Sequence, residues 1–281
     1  MTSTVVHVVT TQSVQSLAIA SVVGLLSGTH TAIWGMYKDA VHEGFAARRF
    51  ARSVVLGALA ALTIQASFQL PLPDAKALVL LFGLAYAAER GMVEVWKTFV
   101  RQEDQSKYFI PMQFSVRGVP LESRTARIAV GASYVAAVAA CLLVIARLNA
   151  GASTLPTAVR AALVGLVVGV IVAIGGSWKD APKEGFDLLK FFRSPAVTVL
   201  YALVFAQLTD SYIYIAAASV GYERATVETY KKFFFPMKPP GKFAGKPVLH
   251  PHMIARRRYF VPPYLAISVT ALLCVVLAVW T

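Results

Sequence analysis

The chain has 281 residues, of which 57% are hydrophobic and 15% charged, and lysine and arginine outnumber the acidic residues by 27 to 14. A soluble domain is about 45–50% apolar and about 25% charged, so this composition excludes a water-soluble globule and a disordered chain. The two cysteines, Cys141 and Cys274, lie inside apolar runs, which excludes a disulfide scaffold. The composition therefore predicts an integral membrane protein with several helices.

Runs of about 20 apolar residues predict transmembrane helices. Clear runs cover 14–34, 126–148, 158–175 and 261–280. Two further regions predict helical hairpins with short polar turns: 52–70 with 75–88, and 195–208 with 212–222. The second arms of these hairpins have only about 14 and about 11 residues, so each hairpin either crosses the bilayer or is re-entrant. The sequence predicts an all-α polytopic membrane protein with about eight helical segments.

The distribution of basic residues predicts the orientation of these segments. The connections at 36–52, 97–127, 177–193 and 222–258 contain 23 of the 27 lysines and arginines. The positive-inside rule places all of them in the cytoplasm, so both termini are expected on the outer side of a plasma (inner) membrane. The first residues contain no basic n-region of a signal peptide, so Met1 is expected to be the mature N-terminus.

The chain also aligns with itself, at an offset of 141 residues up to the hairpin and 134 after it. Matched glycines, charges and aromatics place 35–40 over 176–181, 43–45 over 184–186, 89–90 over 223–224 and 93–94 over 227–228. This predicts a duplication into two membrane repeats, a first half (1–150) and a second half (151–281). Each repeat has an even number of segments, so we expect parallel repeats related by a pseudo-two-fold axis along the membrane normal.

Two glycine pairs occur at equivalent places, Gly24 with Gly28 and Gly165 with Gly169. Small residues four apart let transmembrane helices approach closely. The pairs therefore predict a contact either at the pseudo-two-fold axis or with a neighbouring helix of the same repeat.

The motif Lys-Asp-Ala-x-x-Glu-Gly-Phe follows the first segment of each repeat and contains paired acids four residues apart. Such acids share one side of a helix and could form a cation or proton site at the cytoplasmic mouth. The alternative, which we favour, is that they cap the start of an interfacial amphipathic helix. The acids are Asp39, Glu43, Asp180 and Glu184.

A second duplicated motif, Glu-Arg-x-x-x-Glu-x-x-Lys, occurs at 89–97 and 223–231. Its arginine, second glutamate and lysine form one stripe of alternating charge, which is most simply structural. The first glutamates, Glu89 and Glu223, lie on the apolar side, where a carboxylate is costly without a partner. We predict that they contact a proton, cation or substrate. The structural alternative is a salt bridge to Lys38, Lys179, Arg52 or Arg193.

The duplicated basic residues near the membrane edge are candidates for binding phosphate or lipid head groups: Lys38, Lys179, Arg52, Arg193, Arg90 and Arg224. The basic connection before the last segment would also favour an anionic leaflet, at about 1 kcal/mol per basic residue, or would serve membrane topology alone. No nucleic-acid-binding fold accompanies the charge, so we do not expect that partner. No sequence motif identifies a metal or cofactor.

Three functions are compatible with this pattern. The favoured one, which is not enzymatic, is a transporter or channel-like conduit for a small ion or solute that uses the duplicated charges. The second is an integral-membrane enzyme or flippase acting on lipid phosphate head groups. The third is a non-catalytic subunit whose basic loops bind a protein partner, or a homo-oligomer.

Overall fold

The computed structural model describes the backbone of residues 2–150 and 154–280, and the side chains of residues 13–148 and 154–280. Three features predicted from the sequence therefore fall partly or wholly outside the described residues. They are the mature N-terminus at Met1, the boundary at 150/151 and the end of the second half at Thr281. Within the described part, the chain is almost entirely helical, as the sequence predicts.

Eight long helices and one short helix make up the described chain. They are α1 (Thr2–Glu43), α2 (Ala47–Phe68), α3 (Ala75–Val95), α4 (Arg124–Ala150), α5 (Thr157–Glu184), α6 (Leu188–Phe205), α7 (Tyr212–Thr229), α8 (His252–Arg256) and α9 (Val261–Trp280). Turns of π-helix (Trp96–Val100 and Tyr230–Phe234) extend α3 and α7, and a two-stranded antiparallel hairpin (β1, Ser115–Val116; β2, Val119–Pro120) lies before α4. Short 3₁₀ turns cover Gly241–Phe243 and Arg257–Tyr259.

Six of the described helices are long and apolar enough to span a membrane. They are α1 from Ser13, α2, α4 up to Leu148, α5, α6, and the helical region from His252 to Trp280. The chain is therefore an integral membrane protein. The other two long helices, α3 and α7, each contain the three charged residues of the duplicated Glu-Arg-x-x-x-Glu motif.

The second arms of the hairpins are longer than their apolar runs indicate. Instead of ending near 88 and 222, α3 has 21 residues and continues to Val95, and α7 has 18 residues and continues to Thr229. Opposite charges spaced four residues apart stabilise a helix, so the end of the apolar run is not the end of the helix. The predicted lengths of these two segments were wrong for this reason.

The paired acids lie near the ends of helices, not at their beginnings. Both α1 and α5 continue without interruption through the Lys-Asp-Ala-x-x-Glu motif, and Pro182 lies inside α5. Gly44 and Gly185 then adopt φ values of 75° and 82°, which terminate the two helices and turn the chain into α2 and α6. The predicted capping role is therefore wrong, because acids in the last turn of a helix oppose its dipole and need basic partners.

Corresponding helices of the two halves make corresponding contacts. Helix α1 packs along α2 and α5 packs along α6, while α3 and α7 contact each other at the centre of the molecule. The first glycine pair approaches the backbone of α2 and the second approaches that of α6. Of the two predicted contacts for these glycines, the structure has the one with a neighbouring helix of the same half.

Candidate functional site

The two glutamates predicted to face the apolar side are completely buried on the central helices. Glu89 on α3 and Glu223 on α7 both have 0% exposure. The Glu89 carboxylate accepts two hydrogen bonds from Arg90, at 2.6 Å from Nε and 3.0 Å from Nη2. The guanidinium of Arg90 also lies 5.0 Å from the centre of the Trp34 ring. Both oxygens of the Glu89 carboxylate thus accept a hydrogen bond from Arg90, and the same guanidinium makes a cation–π contact with Trp34.

Glu223 has a different environment. Its Oε1 accepts a 2.6 Å hydrogen bond from the hydroxyl of Ser194 on α6. Its Oε2 lies 3.4 Å from Nε of Arg224 and has no hydrogen-bond partner among the described residues. Of the two equivalent carboxylates, Glu223 is therefore the one with a buried oxygen available to a proton or a ligand.

Neither glutamate has the salt-bridge partner that the sequence predicts. The predicted partners were Lys38, Lys179, Arg52 and Arg193, whereas the observed ion pairs join each glutamate to the arginine that follows it. Adjacent residues point in different directions on a helix, so spacing alone disfavours this pair. The long arginine side chain folds back along the helix and makes the contact. That alternative was therefore wrong.

The charged stripe of each motif forms as predicted. In the first half, Glu94 lies 3.9 Å from Arg90 and 3.6 Å from Lys97. In the second half, the equivalent distances from Glu228 to Arg224 and Lys231 are 3.9 Å and 3.4 Å. Each arginine thus lies between two carboxylates of its own helix.

The first stripe also faces the second half of the molecule. The carboxylate of Glu94 interacts electrostatically with Lys179 on α5 and with Arg224 on α7, in addition to its own stripe. Its side chain is 50% exposed, in contrast to the buried Glu89 one turn away. Glu94 therefore belongs to a charged surface to which both halves contribute, and this surface lies next to the buried carboxylates.

Lys38 has a structural environment that its position in the motif did not indicate. This lysine is 2% exposed, and its ammonium donates hydrogen bonds to the carbonyls of Lys231 (2.9 Å), Phe235 and Lys238 (2.7 Å). A lysine ammonium has three protons to donate, so all of them are used. Lys38 of the first half thus caps the π-helical end of α7 in the second half.

The paired acids of the other duplicated motif are all in ion pairs. Asp39 lies 3.1 Å from Lys232 and 2.8 Å from Lys242. In the second half, a single amine, that of Lys190, lies 2.9 Å from Asp180 and 2.8 Å from Glu184. These contacts neutralise the acids at the helix ends.

Glu43, the remaining paired acid, contacts a tyrosine in the connection between α3 and α4 as well as Arg49. The hydroxyl of Tyr108 lies 2.9 Å from Glu43 and 3.1 Å from Glu103, and it has one proton for the two carboxylates. Burial, together with the charges of Glu43 and Glu103, raises the pKa of Tyr108 well above its usual value. The tyrosine therefore stays a neutral donor between two acids.

Lys242, in the connection between α7 and α8, is held as a cation. Burial lowers the pKa of its amine, but the neighbouring Asp39 and Glu43 more than offset this, so the pKa is raised. The amine also lies 4.6 Å from the centre of the Phe243 ring. This lysine thus links the loop to the end of α1.

A buried polar network in the first half is centred on His30, which the sequence analysis did not single out. The hydroxyl of Tyr86 accepts from Nε1 of Trp34 at 2.7 Å and lies 3.1 Å from Nδ1 of His30. Nε2 of His30 lies 3.0 Å from the hydroxyl of Ser268, which donates to the carbonyl of Tyr264 at 2.8 Å. The bonds are mutually consistent when His30 is neutral with its proton on Nε2.

This network has no counterpart in the second half. The alignment places Ile171 at the position of His30, Gly175 at that of Trp34 and Val220 at that of Tyr86. A polar side chain opposite an apolar one in the self-alignment is the only sequence signal that could have revealed the network. It joins α1, α3 and α9 within the membrane region.

Arg52 and Arg193 occupy equivalent positions, and each is the sixth residue of its helix. Both are half-buried. The Arg52 guanidinium lies 5.8 Å from the centre of the Trp96 ring. Among the described residues, neither arginine makes a hydrogen bond or an ion pair, and the Nε of each is buried without a partner.

In the part of the chain that the structure describes, no group of three or more histidine, cysteine, aspartate or glutamate side chains could hold a metal ion. No protein-family model, no curated protein and no solved structure matches this chain. The function is therefore inferred from the residues of the chain itself.

Proposed function

We propose that this protein is a membrane carrier or channel-like conduit for a small ion or solute. The observation that carries the proposal is the pair of completely buried carboxylates, Glu89 and Glu223, on the two central helices α3 and α7. Ionisable residues inside a membrane protein are costly and are retained mainly where a proton, ion or substrate passes. Their equivalent positions on contacting helices are what a conduit between two repeats requires.

The two halves are proposed to be parallel repeats related by a pseudo-two-fold axis along the membrane normal. The self-alignment supports this, as does the match between the α1–α2 and α5–α6 contacts. The contact between α3 and α7 supports an axis that passes between these two helices, because the alignment makes each the counterpart of the other. Both buried glutamates would then lie beside the axis.

The orientation in the membrane is proposed from charge and length. The positive-inside rule favours cytoplasmic placement of the four basic connections, with the start of α1 and the end of α9 on the outer side of a plasma (inner) membrane. Helices α2 and α3 of 22 and 21 residues are about 33 and 31 Å long, and α6 and α7 of 18 residues are about 27 Å long. Against a hydrocarbon core of about 30 Å, these lengths favour full crossing over re-entrant hairpins.

The geometry suggests how a buried carboxylate could lose its arginine partner and become available to a ligand. Arg224 lies between Glu223, at 3.4 Å, and Glu228, at 3.9 Å. A small movement of its guanidinium towards Glu228 would leave Glu223 with only the hydroxyl of Ser194, and the carboxylate would then take up a proton or a cation. Arg90 stands in the same relation to Glu89 and Glu94. The proposed step is a movement of the arginine from the buried glutamate to the second glutamate of the motif, which leaves the buried carboxylate available to its ligand.

Flux measurements test the proposal. Purified protein in liposomes with an internal pH dye and a potassium-diffusion potential should carry protons, and parallel liposomes should be assayed with radiolabelled sodium and chloride. The E89Q/E223Q variant should lose at least about tenfold of whichever flux is found, as expected when an essential charged group is removed. The control is E122Q, which neutralises an exposed glutamate. Equal flux in both variants and the wild type would contradict the site, and no flux of protons, sodium or chloride would contradict a conduit for these ions.

We also propose that the basic connection between α7 and α9 contacts anionic lipid. Phe234, Phe235 and Met237 are 71%, 45% and 80% exposed beside the arginines at 256–258. Apolar side chains interleaved with cations are typical of segments that lie at an anionic membrane surface. Binding to vesicles that contain phosphatidylglycerol should weaken when the three arginines are replaced by glutamine.

A further inference from the structure

The basic residues predicted to bind phosphate differ in whether their side-chain nitrogens already have partners within the protein. The amine of Lys38 is used by three backbone carbonyls, and the guanidinium groups of Arg90 and Arg224 lie between carboxylates of their own helices. Lys179 has the carboxylates of Glu94 and Asp180 as electrostatic partners. These four candidates are already engaged inside the protein.

The remaining two candidates, Arg52 and Arg193, are the exception. Each has a buried Nε without a partner and makes no hydrogen bond or ion pair with any described residue. Arg101, Arg127 and Arg160 also have an unpaired Nε, and Arg127 has an unpaired Nη2 as well, but each of these three has another guanidinium nitrogen in contact with a protein oxygen. A buried donor without an acceptor costs about 1–3 kcal/mol, so an arrangement that occurs twice at equivalent positions calls for an external acceptor.

The acceptor must be an anion. Arg52 is surrounded by further positive charge, because Arg49, Arg90 and Arg101 all interact with it electrostatically, and Glu89 is the one acid among its main electrostatic neighbours. A guanidinium with a free edge binds the two oxygens of a phosphate group side by side, which ammonium groups do not do. Both arginines lie in the second turn of a helix, and basic residues near the ends of membrane helices are placed to meet lipid phosphates.

We propose that Arg52 and Arg193 form two equivalent binding sites, one in each half, for a phosphate-type oxyanion carried by a lipid head group or by a soluble solute. Arg193 directly precedes Ser194, whose hydroxyl holds Glu223. A ligand at Arg193 is therefore one residue away from a side chain that contacts the buried carboxylate. The sites themselves do not depend on the conduit, since they rest on the unpaired arginines alone.

Native mass spectrometry of the full-length protein, released from nanodiscs, tests this proposal. Nanodiscs of phosphatidylglycerol supply the lipid source, and protein in lipid-free detergent titrated with inorganic phosphate supplies the soluble source. The wild type should retain two phosphate-bearing ligands per chain, R52Q and R193Q one each, and R52Q/R193Q none. Two bound ligands only in the lipid arm identify a head-group site, and mutation-sensitive binding of inorganic phosphate identifies a soluble ligand.

The matched control is R48Q/R124Q, which removes the same charge from two exposed arginines whose side chains make no hydrogen bond or ion pair with the described residues. Equal occupancy in R52Q/R193Q and in this control, in both arms, would overturn the proposal. If the glutamine variant does not fold, R52K/R193K carries the test, since lysine keeps the charge but lacks the planar fork. Its affinity should fall at least about tenfold, the change expected from losing one charge-assisted hydrogen bond, and unchanged affinity would overturn the two-point contact.

Discussion

Gly83 and Gly221 meet backbone to backbone where α3 crosses α7. A Cβ atom on Gly221 would lie 2.0 Å from the carbonyl oxygen of Gly83, and one on Gly83 would lie 2.9 Å from the ring of Tyr222. We therefore expect Gly221→Ala to force the central helices apart and destabilise the protein by about 1–3 kcal/mol, the usual cost of overpacking. The midpoint of thermal unfolding in detergent measures this.

The control for the glycine contact lies on the partner helix. Gly91 of α3 has open space around the position of a Cβ atom, so Gly91→Ala should leave the unfolding midpoint unchanged or raise it slightly. An equal loss in both variants would contradict the role of the close approach between Gly83 and Gly221.

Lys38→Met should destabilise the connection after α7. The substitution leaves the carbonyls of Lys231, Phe235 and Lys238 without their donor in a buried place, at a cost of at least about 2 kcal/mol. Hydrogen exchange should accelerate between residues 231 and 238. Lys179→Met, at the equivalent position of the second half, should change exchange there much less. Weaker phosphate binding without faster exchange would instead support the original prediction for Lys38.

The amine of Lys97 should react at unusually low pH. Burial lowers its pKa to about 8 from the usual 10.5, although Glu94 acts in the opposite direction. Acetylation followed by mass spectrometry should therefore show a midpoint near pH 8 for this lysine, compared with a lysine-containing reference peptide. Glu94→Gln should lower the midpoint further, because the charge that favours the ammonium is removed. A midpoint that rises in this variant would contradict the assignment.

The same shift affects stability in a defined direction. The folded chain loses the Lys97 proton near pH 8, while the unfolded chain retains it up to about 10.5, so unfolding takes up a proton between these values. This lysine therefore contributes a stability that increases as the pH rises from 8 to 10.5 and is unfavourable to folding below pH 8. Lys97→Met should reduce that pH dependence in chemical denaturation.

Tyr86→Phe should destabilise the first half. The hydroxyl of Tyr86 accepts from Trp34 and lies against His30, so its removal leaves two buried nitrogens without a partner, at about 1–3 kcal/mol. Tyr222→Phe is the matched control, since the hydroxyl of Tyr222 donates one 3.2 Å bond to the carbonyl of Val79. A larger loss of unfolding temperature in the Tyr222 variant would contradict the importance of the network.

The membrane helices could be predicted because their signal is local. Uninterrupted apolar runs located α4 and α9 within a few residues and located the start of α5. The ends of α3 and α7 could not be read in the same way, because helical geometry continues through charges that pair along the helix. The ends of α1 and α5 were missed because acids resemble a helix start until their distant partners, such as Lys242 for Asp39, are known.

The candidate site was predictable in its residue types but not in its pairings. The apolar side of the motif identified Glu89 and Glu223, and both are buried. Which bases remain available depends on contacts between distant parts of the chain, as the carbonyls that engage Lys38 lie about 200 residues further along. Spacing rules describe neighbours on one helix. They therefore do not show that the amine of Lys38 is hydrogen-bonded while the guanidinium of Arg52 is not, nor which buried carboxylate has an unpaired oxygen.

Because Lys38 reaches into the opposite half, residues 1–150 and residues 151–281 supply different parts of one structure. The first supplies the ammonium cap and the His30–Tyr86 hydrogen bond, and the second supplies the carbonyls that receive the cap. A symmetric dimer assembled from the first half alone would lack the receiving loop, and one assembled from the second half alone would lack the histidine. Co-expression of residues 1–150 with residues 151–281 should therefore reconstitute the molecule, whereas either piece expressed alone should not.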